Sequence, residues 1–343
     1  MKLYAGIDLH STNNYLGIID EKSKRLFKKR LPNNLGVILM ALEPYKEDLS
    51  GIVVESTYNW YWLVDGLQEH GHKVHLANPS AIKQYEGLKH TDDKWDSFWL
   101  AQMYSLNILP EGYIYPKEKR PVRDLLRRRL FFVRQRTANI LSLQSMITRN
   151  IGIKMSARAI KKLTESDTKK VFESPHLVLS ADSNIAVIRF LTEKIKKIEK
   201  EVRSQVKLRK EFKCLLTVPG IGDILGLTIM LEVGDIKRFP KVGDYSSYCR
   251  CVKTERLSNG KSKGKGNKKN GNKYLSWAYI EAAHFARRYC PKAKKFYQRK
   301  MAKTNKIVAI KALSNKICRA SYYVMRDQVL FDEHKLFDNR VQQ

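Results

Sequence analysis

The sequence opens, at residues 2–20, with KLYAGIDLHSTNNYLGIID, in which two apolar runs flank a polar turn. Two such runs joined by a short polar segment are typical of a β-hairpin. Residues 25–31 alternate well enough for a third strand, and GIVVE at 51–55 is a short apolar run typical of a buried strand. The start of the chain is therefore predicted to form a meander that continues into a larger sheet.

Helical patterns alternate with the later strands. Residues 35–45 repeat apolar side chains at three- and four-residue steps, residues 60–70 have a second helical pattern, and residues 73–77 predict a last strand. Three strands followed by helix, strand, helix, strand and helix predict a mixed sheet of five strands covered by helices. The fold class predicted for this region is α/β.

The rest of the chain has a helical character. Stripes of apolar residues recur through residues 121–209 and predict a helical hairpin or a coiled-coil arm that dimerises, or equally an ordinary helical bundle. A mainly α-helical unit follows, with a Lys-, Gly- and Asn-rich loop inside it. The predicted divisions are an α/β domain (1–110), a helical linker (111–210), a C-terminal domain (211–327) and a tail (328–343).

The 343 residues include 65 Lys and Arg against 34 Asp and Glu, a formal net charge of +31. A field of this sign attracts polyanions, with nucleic acid as the first candidate and an anionic membrane surface as the weaker one. Hydrophobic residues make up 43% of the chain, which excludes a disordered basic tail. Because no run of about 18 apolar residues occurs, we expect no spanning helix.

The five cysteines are sparse and odd in number, unlike the disulfide framework of a secreted protein. An acidic residue, Asp8, stands where a signal peptide would keep its apolar stretch. The expected location is a reducing cytoplasm.

Four carboxylates form the first candidate site. Asp8 and Glu55 end predicted strands, while Asp93 and Asp96 lie three residues apart at the start of a helical segment. Adjacent parallel strands bring their carboxyl ends together, and residues at i and i+3 share a helix face. Clustered carboxylates suit Mg²⁺ or Mn²⁺, and two such ions can assist displacement at a phosphodiester. The plainer interpretation makes each acid a solvated or capping residue.

A glycine turn at residues 218–222, VPGIG, is the second candidate. Between two apolar helical runs, Gly220 and Gly222 would expose backbone N–H groups that bind phosphate, as in a helix-hairpin-helix element. A plain turn between helices explains the same residues equally well.

Basic segments form the third candidate. Residues 256–273, RLSNGKSKGKGNKKNGNK, contain no acid, and a flexible loop of this charge is suited to nucleic-acid phosphates. Its serines, Ser258 and Ser262, are by composition ordinary loop hydroxyls. The predicted phosphate contacts in this loop and in the Arg-rich helix are Lys261, Lys263, Lys265, Lys268, Lys269, Lys273, Arg123, Arg127 and Arg128.

These residues resemble the DEDD insertion-sequence transposases of the IS110 and IS1111 group. The resemblance covers nearly the whole chain and rests on GIDLH at 6–10, VEST at 54–57, TDDKWD at 91–96, PVRDLLRRR at 121–129, VPGIG at 218–222, EVGD at 232–235 with Phe239, and GNKYL at 271–275. Each motif is short, but the ordered set is specific to this group.

The resemblance implies a RuvC/RNase H-like N-terminal domain, a dimerising coiled-coil linker and a C-terminal transposase domain with a nucleophilic serine. Asp8, Glu55, Asp93 and Asp96 match the metal-binding acids, with Mg²⁺ or Mn²⁺ as cofactor, and Asp93 is preferred to Asp92 for its spacing to Asp96. Ser258 is the best match to the family serine, with Ser262 as the alternative. The family also implies that different protomers donate the acids and the serine.

The resemblance also implies the partners. They are double-stranded donor and target DNA, a structured non-coding bridge or seeker RNA that pairs with both, and further copies of the chain, as a dimer and as a tetramer in the synaptic complex. The cell compartment would be the bacterial or archaeal cytoplasm, at the nucleoid. Two alternatives remain open from the residues: a RuvC-like junction nuclease that uses water instead of a serine, and a non-catalytic nucleic-acid scaffold.

Overall fold

The computed structural model describes residues 1–82, 93–206, 209–253, 257–259, 261, 262, 264 and 270–338, without the side chains of residues 93–95, 257, 258 and 262. The chain divides into two compact units. The first contains Met1–Lys117 together with the segment Thr254–Asn270, and the second contains Glu118–Lys253 and the chain from Gly271 onward.

A mixed five-stranded sheet forms the first unit, in the order β3-β2-β1-β4-β5. The first three strands pair antiparallel as a meander, while β4 pairs parallel to β1 and to β5. The α/β prediction for this region is therefore confirmed. The strands are β1 (Leu3–Leu9), β2 (Asn13–Asp20), β3 (Arg25–Pro32), β4 (Leu49–Glu55) and β5 (Val74–Ala77).

Three helices cover the sheet: α1 (Leu35–Leu42), α2 (Tyr61–Glu69) and α3 (Asp93–Ser105). Alternate residues of a strand point to opposite faces. On β1, Ala5 and Ile7 belong to the core that also contains Ile38 of α1 and Leu63 of α2. The intervening residues, Gly6 and Asp8 among them, therefore face the other side of the sheet.

Two glycines let α3 approach that second face. A Cβ built on Gly6 would lie 1.9 Å from the backbone oxygen of Ser97, and one on Gly17 would lie 2.9 Å from the Ser97 Oγ and from the Phe98 ring. The helix backbone therefore rests directly on β1 and β2. This close approach places Asp96, which precedes Ser97, on the same face of the sheet as Asp8.

We expect Gly6→Ala to destabilise the first unit by about 2 kcal/mol or more, because the obstructing atom is helix backbone that must move as a whole. The measurement is calorimetric unfolding of the full chain. Gly36→Ala is the matched control, since Gly36 is exposed on α1 and its Cβ would meet only Asn34 Oδ1 at 3.4 Å. That control should leave stability unchanged or raise it; equal losses in the two variants would contradict the close-packing explanation.

The second unit begins with a long helical hairpin. Its arms are α4 (Arg120–Ile151) and α7 (Pro175–Val206), with the short helices α5 (Ala157–Ile160) and α6 (Glu165–Val171) between them. The predicted stripe on α7 is buried, as at Ile188 and Ile195. Near the tip, Ile140 and Leu143 of α4 pack with Ile185 and Ile188 in a separate small core. The apolar stripe therefore joins the two arms of one chain.

The base of the hairpin merges with the C-terminal helices. Leu126, Ile198 and Val202 belong to the same core as Leu227 and Ile317. Inside the predicted tail, one further helix packs on this bundle, with Phe337 6.3 Å from the Phe296 ring. The helices are α8 (Lys210–Leu215), α9 (Asp223–Val233), α10 (Val242–Tyr248), α11 (Lys273–Tyr289), α12 (Pro291–Lys303), α13 (Lys306–Asp327) and α14 (Glu333–Phe337).

The predicted boundaries at 110, 210 and 327 are finer than the observed division, and they stay predictions. Within the described residues, no helix combines the length and the apolar character needed to cross a bilayer.

Candidate active site and nucleic-acid-binding surfaces

Three of the four predicted acids meet at one edge of the sheet. Asp8 and Glu55 lie at the carboxyl ends of the parallel neighbours β1 and β4, whose register pairs Ile7 with Val54. Asp8 is buried, at 3% exposure, and shares a side-chain hydrogen bond with Glu55. Asp96 of α3 is close enough for its charge to act on Glu55. Parallel pairing and the close approach of α3 together assemble this acidic site.

Close packing of the carboxylates in the acidic site changes the pKa of one of them, Glu55. Burial, the hydrogen bond shared with Asp8 and the charges of Asp8 and Asp96 raise the pKa of Glu55 to about 8. Carboxylates held this close together retain a proton unless a cation takes its place. The donors are carboxylate oxygens, which hard divalent cations prefer. By the chemistry of their oxygen donors, the acids present therefore suit a divalent metal ion.

The fourth acid lies at the limit of the described chain. Asp93 is the first residue of α3, its side chain is outside the described residues, and Asp92 lies outside them entirely. Among the side chains that are described, no group of three or more His, Cys, Asp or Glu has the spacing of a metal site. The choice between Asp92 and Asp93 stays a prediction.

A histidine adjoins the acidic site. His10 Nε2 lies 3.2 Å from Asp8 Oδ2, and the His10 side chain is 37% exposed. Its backbone oxygen accepts hydrogen bonds from Asn33 Nδ2 and Asn59 Nδ2, each 3.0 Å long. The two amides fix the turn after β1. The sequence reasoning missed Asn33 and Asn59 as supports of the site, because both lie in loops that only the fold brings to His10.

The serine segment forms a minimal hairpin. Its strands, β6 (Leu257–Ser258) and β7 (Lys261–Ser262), pair Ser258 with Lys261, and Asn259 adopts a left-handed φ of 50° between them. The segment Thr254–Asn270 belongs to the same compact unit as the sheet of the same chain, where Asn78 Nδ2 donates to Asn270 Oδ1 at 3.3 Å. The acids and Ser258 therefore share one compact unit.

Both ends of the serine segment are tied together in the second unit. Arg250 adopts a left-handed φ of 56° and donates to the Gly271 backbone oxygen from Nε at 3.1 Å and from Nη2 at 2.8 Å. Asn272 N donates to the Tyr248 oxygen at 2.6 Å. Gly271 has a φ of 86°, and a Cβ there would lie 2.5 Å from that same oxygen. The residues on either side of the serine segment, 248–250 and 271–272, are therefore held together as a closed loop base.

A buried carboxylate anchors this loop base to the hairpin. Glu232, 3% exposed, accepts a bidentate pair of hydrogen bonds from Arg127 at 2.6 and 2.7 Å and a third from Asn272 Nδ2 at 2.7 Å. Burial acts to lower the pKa of Arg127, but the hydrogen bonds and charge of Glu232 outweigh it and raise the pKa above its usual value. Arg127 also lies over the Tyr274 ring, 4.7 Å from its centroid. This arginine, a predicted phosphate contact, therefore has a structural role.

The other predicted phosphate contacts have varied environments. Arg123 is buried and lies 3.5 Å from Asp124, while Arg128 is exposed and lies over the Phe131 ring at 5.5 Å. Lys261 and Lys273 are exposed. The remaining four lie outside the described residues: Lys263, Lys265, Lys268 and Lys269.

The glycine turn separates α8 from α9, as predicted for a turn between helices. Gly220 has a φ of 85°, and its Cβ would lie 2.1 Å from the Ala282 backbone oxygen of α11. Gly222 is the residue before α9, and a Cβ there would meet open space. Packing against α11 therefore explains Gly220, while Gly222 is compatible with an approaching phosphate.

Comparison with known proteins gives consistent matches. A model of DEDD IS110 transposases matches residues 5–150, and the model of the transposase IS116/IS110/IS902 family matches residues 212–298. The chain is 22% identical over 342 residues to the transposase for insertion sequence element IS1328 of Yersinia enterocolitica, covering 96% of this chain and 98% of the relative.

Two further relatives agree. The transposase for insertion sequence element IS1111A of Coxiella burnetii is 23% identical over 294 residues, 81% of this chain and 76% of the relative. A probable family 20 transposase of Pseudomonas aeruginosa is 24% identical over 237 residues, 67% and 69% of the two chains. Together with the RuvC-like sheet and its acids, these matches show that the chain belongs to the IS110 family of DEDD transposases and is a DNA transposase.

Proposed function

We propose that this transposase moves an insertion sequence by metal-assisted phosphoryl transfer, with Ser258 as the nucleophile. The observation that carries the proposal is that the converging acids and the Ser258 hairpin belong to the same compact unit. The Ser258 Oγ would attack a DNA phosphate, form a phosphoserine bond and release the 3′ or 5′ oxygen of the broken strand. Attack by a DNA hydroxyl would then restore the serine and rejoin the strand.

Asp8, Glu55, Asp93 and Asp96 would hold the metal, for which Mg²⁺, or Mn²⁺, is the best candidate. Carboxylate oxygens are the donors that these ions prefer. Bound there, the metal would polarise the phosphate and stabilise the charge that develops on it. The chain itself supplies rigidity, since His10 and its two asparagine partners fix the strand end that carries Asp8.

The proposal also includes two kinds of partner. The chain would bind a structured guide RNA, and it would form a homodimer, with a tetramer at synapsis. The net charge of +31 supports a second polyanion in addition to DNA. Exposed apolar side chains on the two hairpin arms, Leu141 on α4 and Phe190 on α7, support self-association, since they are 56% and 55% exposed in the single chain. Since one compact unit of a single chain holds both the acids and Ser258, catalysis within one protomer is the alternative to the site shared between protomers that the family resemblance implies.

The test is to trap the covalent intermediate. The full-length protein would be incubated with Mg²⁺ and DNA that carries the element ends with a nick close to the cleavage position, so that the released fragment diffuses away and rejoining fails. We expect a denaturant-resistant protein–DNA adduct, and peptide mass spectrometry should place the phosphate on Ser258. Efficient cleavage that leaves no adduct would instead establish the water-dependent nuclease.

A further inference from the structure

A second strongly basic surface lies outside the segments predicted from sequence. Residues 287–303, RRYCPKAKKFYQRKMAK, contain eight Lys and Arg and no acid. They span the last turn of α11 and all of α12. Asp338, the residue after α14, neutralises Lys292 by a salt bridge. The exposed cations of this basic surface are Arg288, Lys294, Lys295, Arg299, Lys300 and Lys303.

Two aromatic rings lie at the edge of the basic surface. Phe285 and Tyr289, one helical turn apart on α11, are 41% and 72% exposed. Their rings stack nearly parallel, with 6.5 Å between centroids and an angle of 10° between planes. The Arg288 guanidinium lies 5.9 Å from the centre of the Tyr289 ring. Large exposed rings beside cations offer both stacking and charge to a ligand.

The chemistry of this surface favours an unpaired nucleic-acid strand. The outside of a duplex presents phosphates, which the cations alone would satisfy, whereas unpaired bases offer flat faces to aromatic rings. An anionic membrane fits less well, because Ala293 and Tyr297, two apolar residues of α12, are buried in the protein and cannot insert into lipid.

We propose that Phe285 and Tyr289 stack on the bases of an unpaired DNA strand whose phosphates contact the exposed cations of α12. DNA is the occupant because the chain is a DNA transposase, and moving a strand from one duplex to another requires paired bases to separate. This inference does not depend on Ser258 or on the metal, so its failure and the failure of the proposed mechanism are distinguishable.

The test measures binding of the full-length protein to a labelled DNA strand of about 15 nucleotides by fluorescence anisotropy, without divalent cations so that no cleavage occurs. The double variant Phe285→Leu and Tyr289→Leu keeps an apolar surface but removes both rings. We expect it to bind at least about tenfold more weakly, since the bases lose both of the rings on which they stack. Its salt dependence should not change, because no charge is lost.

Two further variants separate stacking from charge. Lys294→Gln with Lys295→Gln should reduce the slope of log affinity against log salt by about 0.7 for each phosphate that a lysine no longer neutralises. Tyr323→Leu is the matched control, because Tyr323 is 41% exposed on α13 and also pairs with an arginine, Arg326 at 5.0 Å, outside the basic surface. That control should bind as the parent protein does.

Three results would overturn the assignment. One is undiminished binding by the leucine double variant. Another is an equal loss for duplex DNA, which would mean that the rings do not contact unpaired bases. The third is ring-dependent binding that is stronger for an RNA strand of the same sequence, which would make RNA the occupant. Thermal unfolding of each variant should match that of the parent, because every substituted side chain is exposed.

Discussion

Replacement of Asp8 by Asn is expected to reduce DNA strand cleavage by about 1,000-fold or more. Asp8 is the buried acid that shares a hydrogen bond with Glu55, and an amide in its place removes a charge from the set that would hold the metal. Loss of metal-derived charge stabilisation costs several kcal/mol in the transition state, and each 1.4 kcal/mol is a factor of ten in rate. The measurement is single-turnover cleavage of element-end DNA across a range of Mg²⁺ concentrations.

The Asp8 variant should nevertheless fold. Removing one carboxylate from a crowded group relieves repulsion, so its melting temperature should be at or above that of the parent. Asp48→Asn is the control: Asp48 is a carboxylate of the same unit whose partner is the amino group of Met1, 3.0 Å away. Full cleavage by the Asp8 variant, with the parent's dependence on Mg²⁺, would reject the assignment of these acids to the metal.

Ser258→Ala is expected to abolish strand transfer while DNA binding survives. Without the hydroxyl, no phosphoserine bond can form and the reaction loses its first step. The expected rate is the background of uncatalysed cleavage, because residues that act as one catalytic unit fail together. The measurement pairs excision of the element with equilibrium binding to its ends, so that a loss of chemistry is separated from a loss of affinity.

Ser262→Ala is the matched control, since Ser262 lies on the partner strand of the same minimal hairpin. It should retain excision and still form the adduct. If Ser262→Ala is inactive and Ser258→Ala is active, the nucleophile is Ser262. If both variants excise normally, the reaction uses no serine from this hairpin.

Much of the first unit could be predicted from the sequence because its signals are local. Apolar runs of strand length, and helical spacing between them, identified the order of the elements, and the observed sheet confirms it. The family motifs likewise identified a DEDD transposase, which both matching family models confirm. These patterns can be identified without a structure, because alternation and helical periodicity depend only on the order of residues in the chain.

Roles that depend on distant partners could not be predicted in this way. Arg127 belongs to an Arg-rich helix typical of phosphate binding, yet it pairs with Glu232, 105 residues away. Gly220 belongs to a turn typical of DNA-binding proteins, yet its conformation also serves packing on Ala282. In each case the residue type suits both phosphate binding and a structural role. Only the residue that it contacts in the folded protein distinguishes the two.

The sequence by itself determined the order of strands and helices in the first unit, the acidic residues and the excess of positive charge, because these follow from the residues and their spacing. Only the tertiary structure decided that Gly6 brings α3 onto β1, that Asp96 thereby comes close to Glu55, and that residues 254–270 join the unit of the sheet. The physical reason is that packing distances and the pairing of charges arise between residues far apart along the chain.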